Sequence, residues 1–210
     1  IEMVATDAGF SRDAQAWCDT TGNRLISNSE EKGKYTVIIE KGSSKTSTMP
    51  LEHDAKGKTL IMFSDNLDKA LATFVLANGA AATGQPVTIF FTFWGLNVIK
   101  KIAKPKTKKD IFGRMFDMML PSSSLKLHLS KMDMFGIGNR MMRRIMKRKG
   151  TDSLETLRRQ AIDNGVEFIA CQMSMDVMGV RREELLDNVT VGGVASYMER
   201  AGKANVNLFI

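Results

Sequence analysis

The chain has 210 residues, of which 43% are hydrophobic and 25% charged, which is typical of one or two globular domains and excludes a disordered or fibrous protein. Its formal net charge is +7. The excess is local, because residues 100–150 hold fifteen Lys or Arg against three Asp, whereas the remainder is net acidic. A basic segment of this kind predicts contact with an anionic surface or partner at that place only.

The cysteine content predicts a reducing compartment. Only Cys18 and Cys171 are present, and a chain of this size does not need a disulfide bond for stability. We therefore expect a cytoplasmic protein. The longest strongly apolar run, 87–99, is interrupted by two Thr and one Asn and is too short to span a bilayer. Residue 1 is Ile and no leader pattern follows it, so we expect a piece of a longer protein.

The first forty residues predict a small β-α-β-β unit. Residues 1–6 alternate weakly as a strand, and Ser11 or Asp13 is a candidate cap for the helix that follows. Strand-like runs at 24–27 and 35–40 flank a polar turn. We therefore predict a domain over 1–42.

A composition change separates this unit from the rest of the chain. Residues 43–57 begin with a Ser/Thr-rich run that cannot pack a core, which predicts a linker. From residue 58 strands and helices alternate. The predicted elements are a strand at 59–63, a helix at 65–84, strands at 87–93 and 166–171, helices at 153–165 and 192–202, and a final strand at 205–210. This order predicts an α/β domain over 58–210, with a doubly wound, mostly parallel sheet flanked by helices.

Polar and reactive residues follow the predicted strands at their carboxyl ends. Ser64 follows the first strand, and Trp94 and Gly95 follow the second. Cys171 ends the third. Because the carboxyl ends of parallel strands face the crevice where ligands bind, we expect these residues to gather at one edge of the sheet.

Cys171 is the candidate nucleophile. The residues after it regain helical spacing toward Leu185 and Leu186. Backbone N–H groups at the start of such a helix favour a thiolate, and we expect the thiol to be shielded as well. The alternative is that Cys171 is a small buried hydrophobe, as many free cysteines are.

Residues 100–150 form an insertion between a strand and a helix of the α/β domain. The segment is rich in methionine, which packs adaptably, and in Lys and Arg. It predicts two helices, with apolar residues at Met115, Met118, Met119 and Leu120 in the first and at Met141, Met142, Ile145 and Met146 in the second. We expect it to contact a partner, an anionic membrane or another copy of the chain, and to be dispensable for forming the sheet. The alternative is a self-contained helical lid over the crevice.

Other chemistries have little support. His53 and His128 are far from Cys171 in sequence, so a Cys-His dyad is not indicated. No metal-binding spacing of His and Cys occurs, and the glycines at 136–138 do not join a strand to a helix, so we expect neither a metal nor a cofactor. The basic segment has only three Phe for stacking on bases, which argues against a nucleic-acid partner.

Four motifs in the second domain carry a family resemblance. They are 58–93, Phe93-Trp94-Gly95-Leu96, Cys171-Gln172-Met173-Ser174-Met175-Asp176-Val177-Met178-Gly179, and Gly192-Gly193-Val194. Together they resemble the DsrE/DsrF-like sulfurtransferase family, in its longer Met-rich branch. The resemblance implies that Cys171 accepts sulfane sulfur as a persulfide and passes it to a partner thiol.

The expected gathering of strand ends and the motif after Cys171 together predict a pocket around this cysteine. Three methionines are expected to form an apolar wall around the persulfide, and Asp176 to cap or orient the helix. The predicted pocket residues are Met173, Ser174, Met175, Asp176, Met178, Trp94, Gly95 and Ser64.

The N-terminal domain resembles the latter part of a TusA-like sulfur carrier. The resemblance rests on Asp7-x-Gly9-Phe10-Ser11-Arg12-Asp13 and Trp17-Cys18-x-x-Thr21-Gly22-Asn23. The Cys-Pro-x-Pro motif of that family is absent, so carrier activity is not assigned to this part. Cys18 is expected to be a packing thiol.

We therefore predict a sulfurtransferase or persulfide carrier that forms a homo-oligomer and works with sulfur donor and acceptor proteins. Persulfide exchange needs only thiol chemistry, which explains why no acid-base cluster is visible. The alternative is a non-catalytic binding module that docks a protein partner or an anionic membrane through 100–150.

Overall fold

The computed structural model describes most of the chain in two compact units, Ile1–Leu51 and Glu52–Ile210. Most of the predicted linker, and most of the first predicted helix of the insertion, lie outside the described residues. The described residues are 1–5, 11, 14–15, 18, 23–40, 56–103, 105, 107, 115, 118–134 and 136–210.

The N-terminal unit contains a three-stranded antiparallel sheet, in the order β1-β3-β2. Its strands are β1 (Glu2–Ala5), β2 (Arg24–Glu31) and β3 (Lys34–Glu40). Lys32 and Gly33 both have positive φ, as a two-residue hairpin requires, so β2 continues up to the turn, beyond the predicted end at residue 27. Cys18 is 1% exposed and packs with Val37 and Ile39, in the position of a core side chain.

The C-terminal unit is an α/β domain with five parallel strands in the order β7-β6-β5-β4-β8, which confirms the predicted fold class. Strand β7 was not predicted, and the helix predicted from residue 192 begins two residues later. The elements are β4 (Gly57–Met62), α1 (Leu67–Ala82), β5 (Val87–Phe91), α2 (Ile137–Lys149), α3 (Leu154–Asp163), β6 (Glu167–Cys171), α4 (Gln172–Met178), β7 (Val189–Gly192), α5 (Val194–Lys203) and β8 (Ala204–Phe209).

The two faces of this sheet are covered differently. Strands β4 to β7 follow one another across the sheet, and β8 returns to the free edge of β4. On one face, residues such as Phe91 and Phe168 pack with α1 and α3 in the main core. On the other, Phe90, Ile169 and Cys171 pack with Tyr197 of α5. Because side chains alternate along a strand, Cys171 lies on the α5 face.

Part of the insertion belongs to the main core. Leu127 is fully buried there, and the backbone N–H of Leu67 donates to the carbonyl oxygen of His128 at 2.7 Å. Arg143 donates to Glu155 of α3 at 2.9 Å. This part of the insertion therefore packs in the main core, and the expectation that the segment is dispensable for forming the sheet stays a prediction.

Two glycines define the ends of the second helix predicted in the insertion. The second predicted helix corresponds to α2, which begins after Gly136 in the left-handed conformation and ends before Gly150 in the same conformation. Glycine reaches this conformation without a steric penalty, so both ends are defined locally. Over the part of the chain that the structure describes, no helix is both long enough and apolar enough to cross a membrane.

Replacing Leu127 with Ala is expected to lower the free energy of unfolding by about 2–5 kcal/mol, because it opens a cavity in the main core. Leu125 lies two residues away and is 44% exposed, so Leu125→Ala is the matched control. Urea unfolding followed by circular dichroism measures both. Equal, small losses in the two variants would show that the insertion does not support the core.

Candidate functional site at the carboxyl edge of the sheet

Cys171 lies at the junction of β6 and α4. It is the last residue of the strand, and α4 begins at Gln172. The helix has seven residues and ends at Met178, before Gly179, whose φ is 63°. The prediction that it continues toward Leu185 is wrong, because the left-handed Gly179 turns the chain and returns Leu185 to the core. The Cys171 side chain makes no capping hydrogen bond to α4.

The Cys171 thiol is enclosed by the α5 face. Its side chain is 1% exposed and belongs to a cluster with Phe90, Ile169 and Tyr197. In the adjacent strand it pairs with Gly192, two residues before α5 begins at Val194. The thiol is therefore shielded by apolar side chains and by the helix that crosses over them.

The predicted methionine wall is divided between two environments. Met175 and Met178 are 4% and 2% exposed and pack in the main core, whereas Cys171 belongs to the cluster on the other face of the sheet. Met173 is 50% exposed. Only Met173 of the three is thus available at the surface, next to the junction in sequence.

The polar residues of α4 have structural partners. Ser174 is fully buried, and its hydroxyl lies 2.8 Å from that of Thr92, which follows β5. Asp176 is exposed and accepts a hydrogen bond from Gln172 Nε2 at 2.9 Å. The buried hydroxyl pair therefore connects α4 to the segment that follows β5. Asp176 makes a hydrogen bond within α4 at its exposed surface.

The segment after β5 is held tightly. Phe93 has a φ of 47°, which a residue other than glycine seldom adopts. The backbone N–H of Gly95 donates to the carbonyl oxygen of Phe63 at 2.8 Å, and a Cβ at Gly95 would lie 1.9 Å from the carbonyl oxygen of Met62. Trp94, between them, is 42% exposed. Gly95 thus has a packing role, and Trp94 contributes surface.

Ser64 takes part in a local turn after β4. Its hydroxyl donates to Asn66 Oδ1 at 2.6 Å, and its backbone N–H donates to the carbonyl oxygen of Ile210 at 3.3 Å. Asp65 accepts from Asn97 Nδ2 at 2.9 Å. These contacts join the exit of β4 to β8 and to the segment after β5, and they describe a structural turn.

Sequence reasoning missed the two residues that hold the surroundings of Cys171 in place. Thr92 pairs with Ser174, as described. Tyr197 is 7% exposed, stacks on Phe90 with ring centroids 5.2 Å apart, and has its hydroxyl 3.2 Å from that of Thr59. The available signal was the single aromatic residue of the predicted helix at 192–202.

Exposed apolar side chains follow the carboxyl ends of three neighbouring strands. They are Trp94 after β5, Met173 and Val177 in α4, and Val194 at the start of α5, and they are 42% to 59% exposed. Among the described residues, no three His, Cys, Asp or Glu side chains lie together as metal ligands. The edge is therefore an apolar surface around a shielded thiol.

An ion pair anchors α5 over this thiol. Arg200 donates to both carboxylate oxygens of Glu167 at 2.9 and 3.1 Å, and Thr88 donates to the same carboxylate at 2.9 Å. The hydrogen bond from Arg200 holds the pKa of Glu167 below its ordinary value of 4.5. Because the pKa of Glu167 is lower in the folded chain than in the unfolded chain, its ionised carboxylate stabilises the fold above the ordinary pKa of 4.5. This stabilisation is lost as the pH falls through the lower pKa of the folded chain.

We expect Glu167→Gln to be less stable than the unmodified chain above pH 4.5, with a difference that shrinks as the pH falls below it. Urea unfolding over a pH series measures this difference. Glu199→Gln is the control, since Glu199 is an exposed partner of Arg200 and Lys203 and surface pairs contribute little. A difference for Glu167→Gln that does not change with pH would contradict the anchor.

Comparison with known proteins identifies the class. Residues 54–209 match the model of the DsrE/DsrF/DrsH-like family, and the chain belongs to that family. The match begins after the N-terminal domain, so the TusA-like resemblance of 1–42 stays a prediction.

Two curated relatives cover about three quarters of this chain and essentially their own whole length. The uncharacterized protein YrkE of Bacillus subtilis is 41% identical over 160 residues, which is 76% of this chain and 100% of the relative. The sulfur carrier protein DsrE2 of Allochromatium vinosum is 36% identical over 161 residues, which is 75% of this chain and 99% of the relative.

Two solved structures align with about three quarters of this chain, at much lower sequence identity. The YchN protein of E. coli has a TM-score of 0.47 and 9% identity, covering 74% of this chain and 99% of its own. A protein of unknown function from Methanobacterium thermoautotrophicum has a TM-score of 0.43 and 12% identity, with the same coverage.

Proposed function

We propose that this protein transfers sulfur, and that Cys171 accepts sulfane sulfur as a persulfide and passes it to a partner thiol. The observation that carries the proposal is the position of Cys171 at the carboxyl end of β6, as the single cysteine of the family-matched region. Membership of the DsrE/DsrF/DrsH-like family and a relative named as a sulfur carrier support the role.

The proposed reaction is two successive thiol exchanges. The Cys171 thiolate attacks the outer sulfur of a donor persulfide, the donor S–S bond breaks, and the donor leaves as a thiolate. An acceptor thiolate then attacks the outer sulfur on Cys171, the new S–S bond breaks, and Cys171 is restored as a thiolate. One sulfur atom moves in each step, and no external oxidant or reductant is consumed.

Burial of the thiol sets a requirement for this reaction. Because Cys171 is 1% exposed, a donor or acceptor thiol reaches it only when α5 or the β6–α4 junction moves. The apolar side chains Trp94, Met173 and Val194 are exposed where a partner protein approaches that edge. We propose that sulfur-relay partners dock on this surface, and that contact there opens the shield.

The test is mass spectrometry of the chain after exposure to inorganic polysulfide. The unmodified chain and Cys18→Ser are expected to gain one sulfur atom that a small thiol removes, and Cys171→Ser is expected to gain none. Peptide mapping should place the added sulfur on Cys171. A gain that survives Cys171→Ser or that maps to Cys18, or no gain in the unmodified chain, would reject the proposal and favour a binding module.

A further inference from the structure

A second region of the C-terminal unit contains a sizeable cavity. It measures about 580 Å³ and lies between residues 118–128 and α2, in the insertion. That volume is in the range of pockets for small organic ligands. Its apolar lining includes Met118, Met119, Leu120 and Leu125. The cavity therefore offers an apolar space to a ligand, apart from the edge that carries Cys171.

The wall formed by α2 is fixed to the domain core. Asn139 is 6% exposed, and its Nδ2 donates to the carbonyl oxygen of Leu127. Arg143 Nε donates to Asn139 Oδ1, and Arg143 Nη1 donates to Glu155, both at 2.9 Å. A Cβ at Gly138 would lie 2.1 Å from the carbonyl oxygen of Met132, so α2 lies directly on the preceding backbone. The α2 wall of the cavity is thus in place before any ligand arrives.

The charged side chains that line the cavity are all positive. Three cationic side chains, Lys126, Arg140 and Arg143, line it together with the imidazole of His128, and no described carboxylate does. Arg143 is paired with Glu155, and His128 Nδ1 lies 2.6 Å from Asp133 Oδ2. Neither Lys126 nor Arg140 forms an ion pair with another residue in the described part of the chain. These two cations are available to an anionic group next to an apolar space.

We propose that this cavity binds an amphipathic organic anion, with its apolar body against Met118, Met119 and Leu125 and its anionic headgroup at Lys126 and Arg140. A carboxylate, sulfonate or phosphate on an alkyl or aryl body has this chemistry. The two methionines are 84% and 73% exposed, and their flexible side chains close over bodies of different shape. The proposal does not depend on sulfur transfer by Cys171.

Titration calorimetry with octyl phosphate, below its micelle-forming concentration, tests the site. Octyl glucoside supplies the apolar body without charge, and inorganic phosphate supplies the charge without the body. Octyl phosphate is expected to bind saturably and at least about tenfold more tightly than either, since a hydrogen bond to a charged group contributes enough for that factor. No saturable binding of octyl phosphate, or equal binding of octyl glucoside, would overturn the proposal.

Two double variants carry the same change of charge. Lys126→Glu with Arg140→Glu is expected to weaken octyl phosphate binding by about tenfold or more. Lys131→Glu with Arg148→Glu changes exposed residues outside the cavity and is expected to bind within about twofold of the unmodified chain. Circular dichroism confirms that both fold. Equal weakening in the two would show a general charge effect and overturn the site.

Vesicles containing anionic phospholipid distinguish the source of the ligand. Co-sedimentation that octyl phosphate displaces would identify a lipid headgroup and its chain as the occupant. Binding of octyl phosphate without co-sedimentation would identify a free amphiphile. Either result supports an amphipathic anion, whereas co-sedimentation that octyl phosphate does not displace would overturn this cavity as the binding site.

Discussion

Gly95→Ala is expected to lower the free energy of unfolding of the C-terminal unit by about 3 kcal/mol or more, at the upper end of the range for overpacking. The added Cβ would lie 1.9 Å from the carbonyl oxygen of Met62 and 2.7 Å from its carbonyl carbon. Both are backbone atoms at the end of β4, an interior strand of the sheet, and the clash is therefore not with a flexible side chain that could move aside. The hydrogen bond from Gly95 N–H to Phe63 would be strained as well.

Gly79→Ala is the control for this prediction. Gly79 lies inside α1, and a Cβ there has no neighbour within 4 Å. Replacing glycine by alanine in a helix interior stabilises by roughly 0.5–1 kcal/mol. Urea unfolding should therefore move in opposite directions for the two variants. A loss below about 1 kcal/mol for Gly95→Ala would show that β4 accommodates the side chain easily.

The fold class followed from the sequence because its signals are local. Buried runs such as 87–91 and 167–171 are typical of strands whatever surrounds them. The helix between β4 and β5, and the helix α3 between β5 and β6, predicted that these strands pair in parallel. Strand β7 has only four residues, Val189–Gly192, and its last residue is the first glycine of the Gly-Gly pair at 192–193. A run so short is ambiguous until the neighbouring strand β6 is in place to pair with it.

The candidate site was predictable only in part. That Cys171 ends a strand follows from the apolar run before it, but the side chains of α4 depend on how that helix leaves the sheet. Ser174, Met175 and Met178 point inward, whereas Met173 and Asp176 remain exposed. Helical periodicity fixes the directions of these side chains relative to one another. The sequence motif does not say which side of the helix faces the core.

The packing of α5 and Tyr197 over Cys171 could not be predicted from the sequence for a different reason. It depends on α5 crossing one face of the sheet so that β8 returns to the edge of β4. The contact between Tyr197 and Phe90 joins residues more than a hundred positions apart. Likewise, the burial of Leu127 depends on the long-range packing of the insertion beneath α1.

Tyr197→Ala is expected to raise the alkylation rate of Cys171 by at least about tenfold. Tyr197 shares a buried cluster with Cys171, stacks on Phe90 and has its hydroxyl 3.2 Å from that of Thr59. Truncating a buried aromatic side chain costs about 3–5 kcal/mol, and each 1.4 kcal/mol removed from a local opening equilibrium raises the open population about tenfold. Iodoacetamide labelling followed by peptide mass spectrometry measures the rate.

Two controls make this prediction specific to the shield. Tyr197→Phe keeps the ring against Phe90 and loses only the hydroxyl, so its effect is expected to stay within about threefold, as for one neutral hydrogen bond. Cys18 lies in the other unit and is equally buried, so it serves as a reference within the same molecule. Faster labelling of Cys18 and Cys171 together would indicate a general loss of structure. An unchanged rate at Cys171 in Tyr197→Ala would show that the thiol is reached by movement of the β6–α4 junction, and not by displacement of α5.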